Sequence, residues 1–183
     1  MSREDALAIV HEYVKNVNLV RHMLAVEAAM AAYAEKFGED VERWRVAGLL
    51  HDFDYEIHPT LDEHPMKGAD ILREKDVDEE IIRTILSHAD HSGVARENKI
   101  SKALHACDDI TGFIVAVALV RPNKKLSEVT LDSLKKKWKA KEFAKGVKRE
   151  EVEEAAKELE VDLWEHMETV LAAMQENSDD LGL

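Results

Sequence analysis

A single thiol, Cys107, is present, so no disulfide can form within the chain, and a reducing compartment is the natural expectation. Only three prolines and seven glycines punctuate the 183 residues, which argues against collagen-like, disordered and many-turned all-β classes. Long apolar runs are missing too: none approaches the roughly 20 residues that span a bilayer. The amino-terminal MSREDALAIV carries acids and lacks the basic segment and apolar core of a signal peptide. These absences predict a cytoplasmic protein with no membrane partner. What is present, 45% hydrophobic residues, suits one well-buried domain over residues 1–183.

Positive charge is scarce overall, with a net charge of −13, and it is unevenly placed. Residues 121–149 hold eleven Lys/Arg against three acids, while 150–183 hold twelve acids against Lys157 alone. An acidic chain has no electrostatic reason to seek nucleic acid, although one basic segment could serve a phosphorylated ligand. The plain alternative is that these lysines form a solvated face. Neither pattern determines an oligomeric state.

Nearly every segment reads as helix. Ser2 can cap a first helix, and Asn18 a second that runs to Gly38. Asp40 opens a third that leads into His51-Asp52. Residues 53–63 read as loop, and Pro65 suits the first turn of a short helix. Asp78 opens DEEIIRTILSH, and Ser101 begins a long helix that stops at Arg121-Pro122. The second half of that helix is apolar all round, which predicts a central position. Short basic helices over 131–145 and one amphipathic helix over about 150–175 follow. The expected fold is all-α, with a core over roughly 18–120 and a helical C-terminal extension over 121–183.

Nine histidines remain to be explained. His11, His58, His105 and His166 read as structural, with His105 able to reach Asp108 or Asp109 on its own helix. Four others recur at helix ends or inside helices: His22, His51, His64 and His88. With Asp52 and Asp108 the chain order is H, HD, H, H, D. Nitrogen and oxygen donors of this hardness suit Zn, Mn, Fe, Co or Ni, and a helical bundle can converge them inward.

The spelling around these residues resembles the HD-domain superfamily of metal-dependent phosphohydrolases. The resemblance covers roughly residues 18–120. It rests on RHMLAVEAAM at His22, VAGLLHDFDYE at His51-Asp52, HPMKGADIL at His64, IIRTILSHADH at His88 and LHACDDITGFI at Asp108. It implies a core of about five helices around the metal site. His22, His51, Asp52 and Asp108 would hold one divalent transition metal, and Asp52, His64 and His88 a second. His91 competes with His88, which directly ends its helix, and Asp109 competes with Asp108, which CDDITG selects.

The chain departs from the family's commonest pattern after His-Asp. Phe53-Asp54-Tyr55 stands where many two-metal members have an aliphatic residue, Gly and Lys. Lys67 and Arg21 are then the candidate phosphate contacts. Asp54 and Glu56 could move protons, or be solvated loop acids. The resemblance implies hydrolysis of a small phosphorylated molecule or a nucleotide by metal-activated water. Two rivals share the same ligands: a di-iron oxygenase, and a non-catalytic regulator in which metal ties the helices together.

Overall fold

A computed structural model describes all residues from Met1 to Leu183 as ten α-helices with no strand. Helix α1 (Arg3–Tyr13) starts at the expected Ser2, whose hydroxyl caps Asp5 N–H while the Asp5 carboxylate returns to the Ser2 amide. Helix α2 (Val17–Phe37) is capped by Asn16 rather than Asn18. Asn16 Oδ1 accepts from the Asn18 and Leu19 amides, so Asn18 already lies inside the first turn. Gly38 ends α2 at φ 69°, the left-handed geometry that favours glycine.

Helix α3 (Val41–Leu50), capped by Asp40, crosses α2 at Gly48. A Cβ at Gly48 would stand 2.9 Å from the Cα of Glu27, so only glycine allows the two backbones so close. Glu27 is buried at this crossing, with Arg3 and Arg45 both donating to its carboxylate. Pairing of this kind is what makes a buried charge tolerable. The crossing sets where α3 ends, and therefore where His51 and Asp52 stand.

Pro65 directly precedes α4 (Met66–Glu74), at the cap position instead of the first turn. Asp78 caps α5 (Glu79–His88), whose Ile81, Ile82 and Ile85 enter the core. Helix α6 (Lys99–Leu119) starts earlier than Ser101 suggests, because Asn98 is the cap and Ser101 completes a reciprocal capping box. Ile110, Phe113, Ile114 and Val117 of α6 are buried, each worth roughly 1.5–3 kcal/mol of transfer free energy. Its other side is not: Leu119 is 48% exposed and nothing approaches Gly112. The apolar second half of α6 is thus central on one face and open on the other.

The extension differs from expectation in two respects. One helix ending at Lys139, followed by turns, stands where short basic helices over 131–145 were expected, and the long helix after it is broken. Instead of a single helix over 150–175 there are α8 (Arg149–Glu158) and α9 (Leu163–Glu176). Glu160 turns the chain at φ 63°, and Asp162 caps α9. Before them comes α7 (Leu131–Lys139), and the short α10 (Ser178–Leu181) follows. One hydrophobic cluster runs from Ala6 to Leu181 and includes Leu134, Trp138, Val152 and Met167 of the extension. No helix is long and apolar enough to cross a membrane.

Candidate metal centre

Five helices deliver polar side chains to one point. His22 comes from the second turn of α2, His51 and Asp52 from just beyond the end of α3, and His64 from just before α4. His88 is the last residue of α5, and Asp108 lies on α6. The side chains form two groups of three, His22-His51-Asp108 and Asp52-His64-His88, whose ligand atoms within each group lie inside 4.8 Å of one another.

In the first group His22 Nε2 is 3.0 Å from Asp108 Oδ1 and 3.2 Å from His51 Nε2, and His51 Nε2 is 3.5 Å from Asp108 Oδ1. In the second, His64 Nε2 is 3.3 Å from His88 Nε2, and they stand 3.4 Å and 3.5 Å from Asp52 Oδ1. The other oxygen of Asp52, Oδ2, lies 3.7 Å from His22 Nε2 and 3.6 Å from His51 Nε2. One carboxylate therefore presents one oxygen to each group. Donors at about 2.1 Å from a common ion stand about 3.0 Å apart when octahedral and about 3.4 Å when tetrahedral. The observed spacings fit such edges.

The outward nitrogens fix which ring atom faces in. His51 Nδ1 donates to the Gly48 carbonyl at 2.8 Å, and His88 Nδ1 to the Ile85 carbonyl. His64 Nδ1 donates to Asp54 Oδ1 at 2.9 Å. Each Nδ1 carries a proton, so each ring in its neutral form aims an Nε2 lone pair at its neighbours. Lone pairs 3.2–3.3 Å apart repel unless positive charge lies between them. Outer partners of this type orient metal-binding histidines.

The electrostatics agree. Burial pushes the Asp108 carboxyl up, but His22 and His51 outweigh it and hold it well below the usual range. Asp52 is held low in the same way by His51 and His88. Burial should depress His88, yet its bond to Asp52 raises it to about 9. The cluster gathers positive charge, as protons or as a cation that displaces them.

Asp54 is not a solvated loop acid. It is buried, with Oδ1 on His64 and Oδ2 accepting from the Gly68 amide at 3.0 Å. A Cβ at Gly68 would fall 2.5 Å from Asp54 Cγ, which accounts for glycine in HPMKGA. No local sequence signal links Asp54 to Gly68; only the fold brings the two together. Glu56 lies elsewhere, accepting from the Lys15 and Asn16 amides.

The competing residues separate cleanly. His91 Nε2 donates to the His64 carbonyl at 2.7 Å, and Asp109 lies outside both groups. His105 does not turn toward Asp108 or Asp109; its Nδ1 donates to the His88 carbonyl at 3.1 Å. Both histidines brace backbones that carry candidate ligands. Asp109 faces the cleft, where burial and neighbouring Asp108 raise its carboxyl to about 6. His166 is structural, buried between Tyr33 Oη and the Ala106 carbonyl.

The cluster lies at the floor of a cleft of about 460 Å³, within the range of small-molecule sites. Tyr55 and His91 line one part of its wall, and Lys148, Glu151, Val152 and Ala155, on and just before α8, another. Neither Lys67 nor Arg21 lines it. Lys67 is exposed on α4, and the Arg21 guanidinium lies against Gly182, lining an apolar groove whose only residue in common with the cleft is His22. The basic segment 121–149 is a candidate for a phosphorylated ligand, but the sequence does not single out Lys148 within it, because the cleft draws that wall from the extension.

An all-helical core that converges histidines and aspartates defines a class of metal-site domain. The chain belongs to the HD-domain family, whose model matches residues 19–118. Ribonuclease Y of Nitratidesulfovibrio vulgaris is 30% identical over 96 residues, covering 52% of this chain and 18% of that protein. Ribonuclease Y of Pseudothermotoga lettingae is 38% identical over 72 residues, 39% of this chain and 14% of that one. An uncharacterized protein of Methanocaldococcus jannaschii is 35% identical over 109 residues, 57% of this chain and 63% of its own length. The chain thus spans less than a fifth of these ribonucleases and under two thirds of the archaeal protein. A comparison with solved structures finds no significant match.

Proposed function

We propose that the protein is a metal-dependent phosphohydrolase acting on a small phosphorylated molecule or nucleotide. The observation that carries this reading is Asp52, with one oxygen facing His22 and His51 and the other facing His64 and His88. His22, His51, Asp52 and Asp108 would hold one divalent metal, and Asp52, His64 and His88 a second. When bound, such ions lower the pKa of water toward neutrality and polarise a phosphoryl oxygen.

The protein's own residues do the remaining work. Asp54, Gly48 and Ile85 fix the inward faces of His64, His51 and His88, so little reorganisation is left for the reaction. Tyr55, 47% exposed at the cleft and edge-on to His64, offers a face for a planar group such as a nucleobase. The relatives named ribonuclease Y suggest RNA as another phosphodiester substrate. An acid-lined cleft with Lys148 as its one lysine favours the smaller ligand.

The test is turnover of phosphomonoester and phosphodiester panels by protein loaded with Mn, Co, Ni, Zn or Fe. Activity that requires metal and vanishes with a chelator is expected. Full metal occupancy with no turnover would favour the regulator, and oxygen uptake by iron-loaded protein would favour the oxygenase.

A further inference from the structure

The cleft does not end at the metal cluster. Its wall shares Lys148 and Glu151 with a second hollow of about 330 Å³, which Lys141, Lys145 and Arg149 also line. Lys148 and Glu151 thus border both hollows. Their linings differ sharply in charge. The inner cleft is lined by Asp52, Asp108, Asp109, Asp90 and Glu151 with Lys148 as its only lysine, whereas the outer hollow sets Lys141, Lys145, Lys148 and Arg149 against Glu150 and Glu151.

The lysine-bearing loop is held in place rather than left to drift. Arg149 Nε donates to the Trp138 carbonyl at 2.9 Å, and its Nη2 donates to the Phe143 carbonyl at 2.6 Å. The same guanidinium lies over the Trp138 and Phe113 rings at 5.2 Å and 5.7 Å. Arg149 is thus committed to the scaffold, and Lys141, Lys145 and Lys148 are left to face solvent. Lys148 bonds Glu151 at 2.8 Å and Lys145 pairs with Glu142, both exposed contacts of the kind worth little. An incoming anion can displace them.

Resting on the phosphohydrolase reading, we propose that Lys148, with Lys141 and Lys145, binds a second phosphate of the substrate, remote from the one at the metal cluster. The substrate class is then a small molecule carrying two separated phosphates. The acid-lined floor accepts an anion only through bound cations, so a further anionic group gains nothing there. The lysine rim is the neighbouring place where it does.

The test compares two anions whose P–C bonds resist hydrolysis, methylphosphonate and butane-1,4-bisphosphonate, by calorimetric titration of Mn-loaded protein. The wild type is expected to bind the bisphosphonate about tenfold or more tightly, the scale of one charge-assisted contact. Lys148→Glu should bring the ratio near one, and the Lys141→Ala/Lys145→Ala pair should lower it severalfold. Lys136→Ala, in the same basic segment but outside both hollows, should leave it unchanged. A wild-type ratio near one, or an unaltered ratio in Lys148→Glu, overturns the proposal. Affinity that instead grows with the length of single-stranded RNA and falls steeply with salt replaces the small molecule by nucleic acid. If the ratios hold but no phosphate ester is turned over, the hydrolase reading fails and the rim stands.

Discussion

Replacing Asp54 by Asn removes a charge without removing volume, and isolates what that buried carboxylate does. Its two oxygens accept from His64 Nδ1 at 2.9 Å and from the Gly68 amide at 3.0 Å. Asparagine has one acceptor oxygen and one NH2, so one of the two N–H donors must face another donor. The His64 bond is charge-assisted, worth about 1.5–3 kcal/mol, and its loss lets the ring rotate or change tautomer. Outer partners of metal-binding histidines cost about 10–100-fold in metal affinity when lost, or about 1.4–2.7 kcal/mol. The two estimates agree. Titration of Asp54→Asn with a competing chelator should therefore show one ion weakened by that factor and the other, at His22-His51-Asp108, little changed. Wild-type affinity for both ions would refute the orienting role of Asp54.

Three further outcomes follow from the geometry. His64→Ala and His88→Ala should each lose about one ion per chain by elemental analysis, while His91→Ala, whose ring holds only the His64 carbonyl, should keep both. Gly48→Ala should lower the denaturant midpoint by an amount equivalent to about 1–3 kcal/mol, because the new methyl meets the Glu27 backbone at 2.9 Å and no side chain can yield. His166 is held by burial at about 4, below its unfolded value near 6.5, so the unfolded chain takes up the proton first. That stability is intact above pH 6.5 and falls by about 3 kcal/mol toward pH 4, and His166→Gln in chelator should flatten this slope relative to wild type.

The ligand pattern was legible because each residue sits beside a local signal: an apolar helix running into His51-Asp52, or a helix ending at His88. Caps were less secure. Asn16 and Asn18 are equally good capping residues two positions apart, and only the backbone at Asn16 decides between them. The amphipathic pattern over 150–175 continues through Glu160, where a non-glycine residue turns at φ 63°, so the break between α8 and α9 left little trace. Asp54 was misjudged, and Lys148 not singled out within its basic segment, for a different reason. Their roles arise from contacts with Gly68 and with the cleft wall that no sequence spacing announces.

Asp52 is the residue on which the account turns, since it alone faces both groups. Elemental analysis of wild type and Asp52→Ala, each purified without added metal, tests this most directly. Wild-type chains should carry up to two transition-metal ions, and Asp52→Ala should lose most of both. Metal content in Asp52→Ala equal to that of the wild type would contradict it.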